Sequence, residues 1–290
     1  MIAVLGPGGV GGLLAAALAR AGEPVLLVAR EQTAALIARE GIDVRSVALG
    51  DFHAAPAVAT RLDRQVDALL VATKAAGLDA ALERVEVSPK LVLPLLNGLD
   101  HLAVLRARFG EGRVLGATIR VGSDLPVPAQ TVQNRSFLRI EIAAGDADTG
   151  PLAASLERAG VQVVVGASEA RVMWGKLVRL NALACTTSAS GLLLGEIRSD
   201  PHWRAQLLGA IEEAAAVARA EGAAIEPANV WAEFEQAHAT LGSSMARDIA
   251  AGREPELDAI PGAVLRAAAR HDIDCPVVEA LVRDIVSSLN

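Results

Sequence analysis

Residues 2–12 read IAVLGPGGVGG, a short apolar run followed directly by glycines. Leucine and alanine then recur at helical spacing, which predicts the order strand, turn, helix. The glycines match the pattern G-x-G-x-x-G at Gly6, Gly8 and Gly11, with Gly9 and Val10 inside the same loop. In a dinucleotide-binding fold these glycines permit a tight turn, close approach to a pyrophosphate, and close packing of helix on strand. The alternative is a turn that is merely rich in glycine.

The end of the second predicted strand bears on which dinucleotide binds. NAD-binding versions carry an acidic residue there, about 20 positions past the glycines, whereas this chain has Arg30. A guanidinium suits the 2′-phosphate of NADP, and Lys74, at the end of the next recognisable strand, is a second candidate cation. Glu31 keeps an alternative open, because it could hold the ribose of NAD or pair with Arg30. The pattern favours NADP(H) as the cofactor.

Apolar runs typical of buried parallel strands alternate with helical patterns in the first half of the chain. The predicted strands cover residues 2–5, 25–29, 68–73 and 91–96, and the predicted helices cover 32–40, 76–86 and 100–108. Alternating residues over 114–142 indicate an added antiparallel ribbon, and VQVVV at 161–165 reads as a last strand.

Beyond about residue 168 the strand patterns end and only helical patterns follow. They cover residues 170–194, 202–221, 228–240, 258–271 and 276–289. The chain of 290 residues is long enough for two cores. We therefore predict an α/β protein in which an N-terminal Rossmann-type dinucleotide-binding domain over residues 1–166 is followed by an all-helical substrate-binding domain over residues 167–290. A cleft between the two domains is expected.

Composition excludes several classes of protein. The chain is 52% hydrophobic and 21% charged with a net charge of −7, and its basic residues are scattered, so nucleic acid is not an expected partner. No signal peptide or run of about 20 apolar residues is recognised, which predicts a soluble, cytoplasmic protein without a membrane partner. Cys185 and Cys275 lie in apolar surroundings, which predicts buried thiols and no metal site.

Two further stretches carry candidate functional residues. Asn97 and Gly98 end an apolar strand at the carboxyl edge of the predicted sheet, where such sheets bind ligands, although Asn-Gly is also a common turn. Lys176 comes early in a long helix of small apolar residues, and Thr187 lies on its helical face three turns later. A lysine there could donate a proton, and a solvated surface lysine is the alternative.

An unusually polar stretch, SSMARDIAAGREPELDAIPG, covers residues 243–262. Together with the glycine loop, TKA at 73–75, NG at 97–98, WGKL at 174–177 and GE at 195–196, it makes the whole chain resemble the ketopantoate reductase family. The resemblance is most specific in the polar stretch, which is written in that family as SSM, then Asp, then GR, then ExDxIxG.

The resemblance implies roles for individual residues. Lys176 is implied as the general acid that protonates the ketone oxygen, with Glu256 in the same catalytic site. Ser244 and Glu256 are implied to position the substrate. The cofactor NADPH is implied to be held by residues in the glycine loop and at the strand ends, namely Gly6, Gly8, Gly11, Arg30, Lys74 and Asn97. We add Gly9 and Val10 as candidate cofactor-binding residues, and Asn97 and Thr187 as candidate substrate-binding residues.

The chain also departs from the family pattern. Members carry asparagines four and eight residues after the lysine, where this chain has Leu180 and Ala184, and Leu194 precedes GE. Asn181 lies one position from the expected register. These replacements leave the reduction chemistry intact and affect the identity of the 2-oxo acid.

The expected function is NADPH-dependent reduction of 2-dehydropantoate to (R)-pantoate, a step of pantothenate biosynthesis. One alternative is a reductase of a different 2-oxo acid. A second alternative, from another class, is a catalytically silent NADP-sensing protein, which would have no need of Lys176, Ser244 and Glu256 together. A small 2-oxo acid is the expected partner, and a homodimer is possible.

Overall fold

The computed structural model describes residues 1–143 and 145–289. The chain separates into two compact units. The first unit comprises Met1–Leu96 and His101–Glu169, and the second comprises Asn97–Asp100 and Ala170–Asn290. The short segment Asn97–Asp100 therefore belongs with the helical part of the chain, although the residues on both sides of it in sequence belong to the first unit.

Ten strands and twelve helices are found among the described residues. The strands are β1 Ile2–Leu5, β2 Val25–Val28, β3 Ile42–Ser46, β4 Phe52–Ala54, β5 Ala57–Ala59, β6 Ala68–Val71, β7 Leu91–Pro94, β8 Ala117–Val127, β9 Gln130–Ala143 and β10 Gln162–Gly166. The helices are α1 Gly9–Arg20, α2 Glu31–Glu40, α3 Leu78–Leu82, α4 His101–Phe109, α5 Gly150–Arg158, α6 Glu169–Ser190, α7 Leu194–Ser199, α8 Pro201–Ala220, α9 Pro227–Gln236, α10 Ser244–Ala250, α11 Ala263–Arg270 and α12 Pro276–Leu289.

The first sheet of the first unit is parallel and has the strand order β5-β2-β1-β6-β7. Every residue of β1, β2 and β6 is buried, as expected for strands that are covered on both faces. The chain leaves β1 on one side to form β2 and returns on the other side to form β6. The carboxyl end of β1, where the glycines begin, is therefore the switch point at which such sheets bind ligands.

The second sheet of the first unit is mixed. Its order is β10-β9-β3-β4, and β8 pairs with β9 in antiparallel fashion with a register shift after Val121. The predicted ribbon and the predicted last strand are confirmed, whereas β3, β4 and β5 were not predicted because they are only three to five residues long. Helix α1 packs against strands of both sheets, and every residue from Gly11 to Leu18 is buried, so this part of the helix has no face toward water.

The second unit is helical, as predicted, and α6 and α8 supply much of its core. Trp174, Leu177 and Val178 of α6 pack with residues of α8, α11 and α12 in one apolar cluster. Helices α7 and α10 were not predicted, because they have only six and seven residues. The predicted helix over 258–271 begins as a wider turn over Asp258–Gly262. Pro261 has no N–H to donate there, and the Gly262 N–H donates to the Leu257 carbonyl five residues earlier at 2.9 Å.

Cys185 and Cys275 are buried and free of disulfides, and burial raises the pKa of the Cys185 thiol to about 12, which makes it unreactive. Among the described helices, none combines the length and the hydropathy that a bilayer-spanning helix needs.

Candidate functional site

The loop after β1 needs its glycines for steric reasons. Gly6 has a φ of +102°, and a Cβ there would lie 3.0 Å from Thr73 Cγ2. A Cβ on Gly11 would lie 1.9 Å from the Gly6 carbonyl oxygen. Side chains at either position would push helix α1 away from the strand, so the close helix–strand packing requires both glycines.

The first turn of α1 leaves space for an anion. Gly8 is the N-cap residue, its backbone N–H groups have no side-chain cap, and the nearest atom to a Cβ there would be the Ala72 carbonyl oxygen at 4.0 Å. No acidic residue lies in the first turn. Uncapped N–H groups and the positive end of the helix dipole attract phosphate, so this turn fits the pyrophosphate of a dinucleotide.

Gly9 has a different neighbour. A Cβ on Gly9 would lie 2.9 Å from the carbonyl oxygen of Ser123 in β8, and the Ser123 hydroxyl donates to the Gly9 carbonyl at 2.7 Å. Val10 is partly buried against the core of the first unit. Gly9 therefore serves the packing of β8 on α1.

Thr73 is a candidate that the sequence did not single out. Its hydroxyl is buried beside the glycine loop at the carboxyl end of β6, and within residues 1–143 and 145–289 it has no hydrogen-bond partner. A buried hydroxyl without a partner costs stability, and a ligand bound beside the glycine loop would supply that partner. The local signal was present, since Thr73 precedes Lys74 at a strand end that faces the switch point.

The electrostatics at the end of β2 favour a phosphate. Arg30 is exposed, and among the residues that the structure describes no hydrogen bond or ion pair occupies its guanidinium. Glu31 does not pair with Arg30, which corrects one of the two roles expected for it. Instead Arg84 donates to both carboxylate oxygens of Glu31 at 3.0 and 3.3 Å, and this pairing holds the pKa of Glu31 below its usual value. Lys74 is also exposed, as the N-cap residue of a short turn.

In the second unit, the amide of Asn97 joins two charged side chains. Lys176 Nζ donates to Asn97 Oδ1 at 2.9 Å, and Asn97 Nδ2 donates to Glu256 Oε2 at 2.8 Å. An ammonium can only donate and an ionised carboxylate can only accept, so the amide has one possible orientation. All three side chains are partly buried. We call Lys176, Asn97 and Glu256 the amide-bridged triad.

Gly98 explains how Asn97 is held in place. Its φ is +83°, and a Cβ there would lie 2.1 Å from the Ala259 carbonyl oxygen in the wide turn. Leu99 packs against the helical core. Arg266 then donates to Asp100 Oδ2 and to Asp258 Oδ1, each at 2.6 Å, and the bond to Asp100 is the main reason that the pKa of Arg266 is raised. The whole segment Asn97–Asp100 is thereby fixed to the turn that follows Glu256.

The two serines of the polar stretch differ. Ser243 is the N-cap residue of α10, where its hydroxyl accepts from the Ala246 N–H at 3.0 Å and lies 2.7 Å from the hydroxyl of Thr187. Ser244, the first residue of α10, is partly exposed, and its hydroxyl has no partner among the described residues. Capping therefore occupies the hydroxyl of Ser243 and leaves that of Ser244 unoccupied among the described residues.

Asp248 and Arg253 of the same stretch are structural. Arg253 Nε donates to Asp248 Oδ1 at 2.8 Å, and the Arg253 backbone N–H donates to the Asp248 carbonyl at 2.8 Å. Gly252 between them has a φ of +65°. These three residues close the chain after α10 and direct it toward Glu256.

Thr187 is placed in the interior. It is 1% exposed, and its hydroxyl donates to the Leu183 carbonyl at 2.7 Å besides contacting Ser243. It follows Lys176 by eleven residues, or about 16 Å along a helix axis. Thr187 thus connects α6 to the start of α10 and has no surface to offer a substrate.

The positions that depart from the family pattern are apolar in the structure as well. Leu180 is partly buried and packs against the helical core, while Ala184 and Leu194 are fully buried. Asn181 is also fully buried, and its amide oxygen faces the Cys185 thiol at 3.5 Å. Asn181 therefore cannot replace an asparagine on the face of Lys176.

The first unit is a doubly wound nucleotide-binding unit, and the second carries a lysine that donates to an amide, which in turn donates to a carboxylate. Together they define a dinucleotide-dependent oxidoreductase. A family model described as ketopantoate reductase PanE/ApbA matches residues 2–146, and one described as its C-terminal part matches residues 170–286. The chain belongs to the ketopantoate reductase family.

Individual relatives span the whole chain. A 2-dehydropantoate 2-reductase from Caulobacter vibrioides is 31% identical over 95% of this chain and 94% of its own length. The 2-dehydropantoate 2-reductase of Mycobacterium tuberculosis is 31% identical over 97% and 95% of the two chains. The crystal structure of a 2-dehydropantoate 2-reductase from Geobacter metallireducens, 26% identical, superposes with a TM-score of 0.90 over 99% of this chain and 100% of that one.

Proposed function

We propose that this oxidoreductase reduces 2-dehydropantoate to (R)-pantoate with NADPH, as a step of pantothenate biosynthesis. The amide-bridged triad is the observation that carries the proposal. It presents an ammonium whose position is fixed by Asn97, and Asn97 is fixed in turn by Glu256. Reduction of a ketone creates negative charge on oxygen, and a positioned cation with a proton to give stabilises that charge.

In the reaction, Lys176 donates its proton to the ketone oxygen as the alcohol forms. NADPH, when bound, supplies the hydride that is added to the carbonyl carbon. Lys176 is left as a neutral amine and regains its proton from solvent. Asn97 keeps its oxygen toward Lys176 throughout, because Glu256 accepts from its nitrogen.

The cofactor is proposed to be held by the first unit. Gly6, Gly8 and Gly11 shape the loop for the pyrophosphate, and the Thr73 hydroxyl gains the partner it lacks. Arg30 and Lys74 hold the 2′-phosphate. Ser244 contacts the 2-oxo acid with its hydroxyl, and Thr187 supports Ser243 from the interior of the helical unit. A cytoplasmic location and a homodimer remain predictions.

The test compares NADPH oxidation by the wild-type protein and by Lys176→Met against a panel of 2-oxo acids that includes 2-dehydropantoate. We expect turnover of 2-dehydropantoate, and we expect kcat to fall about 100-fold or more in the variant, which is the usual contribution of a positioned acid. NADPH affinity, measured by calorimetry, should stay unchanged. Wild-type protein that binds NADPH but reduces none of the acids would favour an NADP-sensing protein instead.

A further inference from the structure

The side chains four positions before and four positions after Lys176 on α6 are apolar. A residue four positions along a helix lies on the same face, about 5–6 Å away between Cβ atoms, and Leu180 has that position relative to Lys176. Leu180 is partly buried: it packs against the helical core, and the rest of its side chain is exposed. Val172, one turn before Lys176, is buried and apolar.

Polar atoms farther along this face are already occupied or buried. Leu183 and Ala184 are buried, and the Thr187 hydroxyl is used by the Leu183 carbonyl and by Ser243. The amide of Asn181 is fully buried. Arg179, three positions after Lys176, pairs with Glu233 and lies over the Phe234 ring, so a substrate whose carbonyl is at Lys176 meets hydrocarbon at Leu180.

The other two members of the triad have apolar neighbours too. Leu99 follows Asn97 by two residues and Leu257 follows Glu256 directly, and both are partly buried against the same helical core as Leu180. The polar atoms of the triad are thus concentrated where the carbonyl is reduced. Each of the three polar residues thus has a partly exposed leucine within four positions of it in the sequence.

We infer that the site does not select for a hydroxyl on the side chain of its 2-oxo acid, with Leu180 as the specificity-determining residue. The inference rests on the proposed function, since it assumes that Lys176 protonates the ketone. A site that hydrogen-bonds a substrate hydroxyl rejects the analogue that lacks it by about 10⁴-fold or more, because buried polar groups are left without partners. Leu180 has no polar group that could be left without a partner when the substrate lacks the hydroxyl.

The experiment uses two acids that differ only in this hydroxyl. 2-Dehydropantoate carries it, and trimethylpyruvate is the same 2-oxo acid with hydrogen in its place. For the wild-type protein with NADPH, we expect kcat/KM for trimethylpyruvate to equal or exceed about one tenth of that for 2-dehydropantoate. A preference of more than tenfold for 2-dehydropantoate overturns the inference and leaves the proposed function standing. Reduction of neither acid overturns both.

Two variants test the residue itself. Leu180→Asn adds a donor and an acceptor at similar size, and we expect it to shift the ratio of the two kcat/KM values at least about tenfold toward 2-dehydropantoate. Leu180→Met keeps the position apolar with little change of volume and should leave the ratio unchanged.

Binding gives a readout that does not depend on turnover. Calorimetry with NADP⁺ present should show that pantoate gains affinity over its hydroxyl-free analogue in Leu180→Asn and not in Leu180→Met. An unchanged ratio in a folded Leu180→Asn protein, with a wild-type melting temperature, overturns the assignment of Leu180.

Discussion

Asn97 is the residue on which the geometry of the triad depends, because its amide oxygen accepts from Lys176 while its amide nitrogen donates to Glu256. Its neighbours along the chain are equally constrained. Gly98 cannot carry a side chain without striking the Ala259 carbonyl oxygen, 2.1 Å from where its Cβ would be.

Exchanging the amide and the carboxylate tests this bridge. Asn97→Asp places a second carboxylate against Glu256, and we expect kcat/KM for the oxo acid to fall about tenfold or more because the two like charges separate. Adding Glu256→Gln restores a donor opposite the new carboxylate and should recover a large part of the loss. Steady-state kinetics of the two single variants and the double variant check the expectation. Additive losses in the double variant would contradict the bridge.

At the scale of single elements, we expect the two serines at the start of α10 to have different roles. Ser243 caps the helix, and Ser244 is a candidate for binding the substrate. Ser243→Ala removes the N-cap and the contact with Thr187, and we expect it to lower the free energy of unfolding by about 1 kcal/mol. Ser244→Ala removes no internal hydrogen bond among the described residues, so stability should be retained while KM for the oxo acid rises and KM for NADPH stays the same. Denaturant unfolding and kinetics on both variants measure these effects, and a stability loss confined to Ser244→Ala would reverse the assignment.

The turn after α1 is hydrogen-bonded to α5 through Glu23. Glu23 accepts from Arg158 Nε at 2.6 Å and from the Ser155 hydroxyl at 2.8 Å. The bond from Arg158 is the main reason that the pKa of Glu23 lies below its usual value of 4.5. A carboxyl group with a lowered pKa in the folded state contributes stability above its unfolded pKa and loses that contribution as the pH falls through its folded pKa.

We therefore expect Glu23→Gln to cost about 1 kcal/mol at pH 7, with the cost shrinking as the pH falls below about 4.5. The magnitude is kept low because Arg158 is more than half exposed. Urea unfolding of wild type and variant across this pH range is the measurement. Glu40→Gln is the matched control, because Glu40 pairs with its exposed neighbour Arg39 alone among the described residues and should change stability little. An equal cost for Glu23→Gln at pH 7 and pH 4 would count against the pairing.

At the scale of the whole molecule, the choice of cofactor combines residues from several strands of one sheet. Arg30 follows β2 and Lys74 follows β6. Arg84 donates to the Glu31 carboxylate, which is then less available to bind the ribose of a cofactor. We expect NADPH to be preferred over NADH. Replacing Arg30 by Ser and Lys74 by Ala should each lower that preference by about 1.5–3 kcal/mol, the contribution of a hydrogen bond to a charged group. The ratio of kcat/KM for the two cofactors is the readout, and equal use of both by the wild type would show that Glu31 reads the ribose.

The sequence by itself determined the parallel strands β1, β2, β6 and β7, the glycine loop and the helical character of the second half. These features follow from local rules: periodicity reports which faces are buried, and a positive φ or a close backbone approach demands glycine at a particular position. Short elements such as β4, β5 and α7 were not predicted, because three to six residues contain too few periods of a strand or helix pattern for it to be recognised.

Only the tertiary structure decided which side chains meet. Asn97 lies 79 residues from Lys176 and 159 from Glu256, and Arg84 lies 53 residues from Glu31. No local pattern distinguishes Arg84 from the other arginines, or Ser243 from Ser244 as the cap of α10. Such pairings depend on how distant segments pack, since a hydrogen bond forms only where the fold brings a donor within about 3 Å of an acceptor.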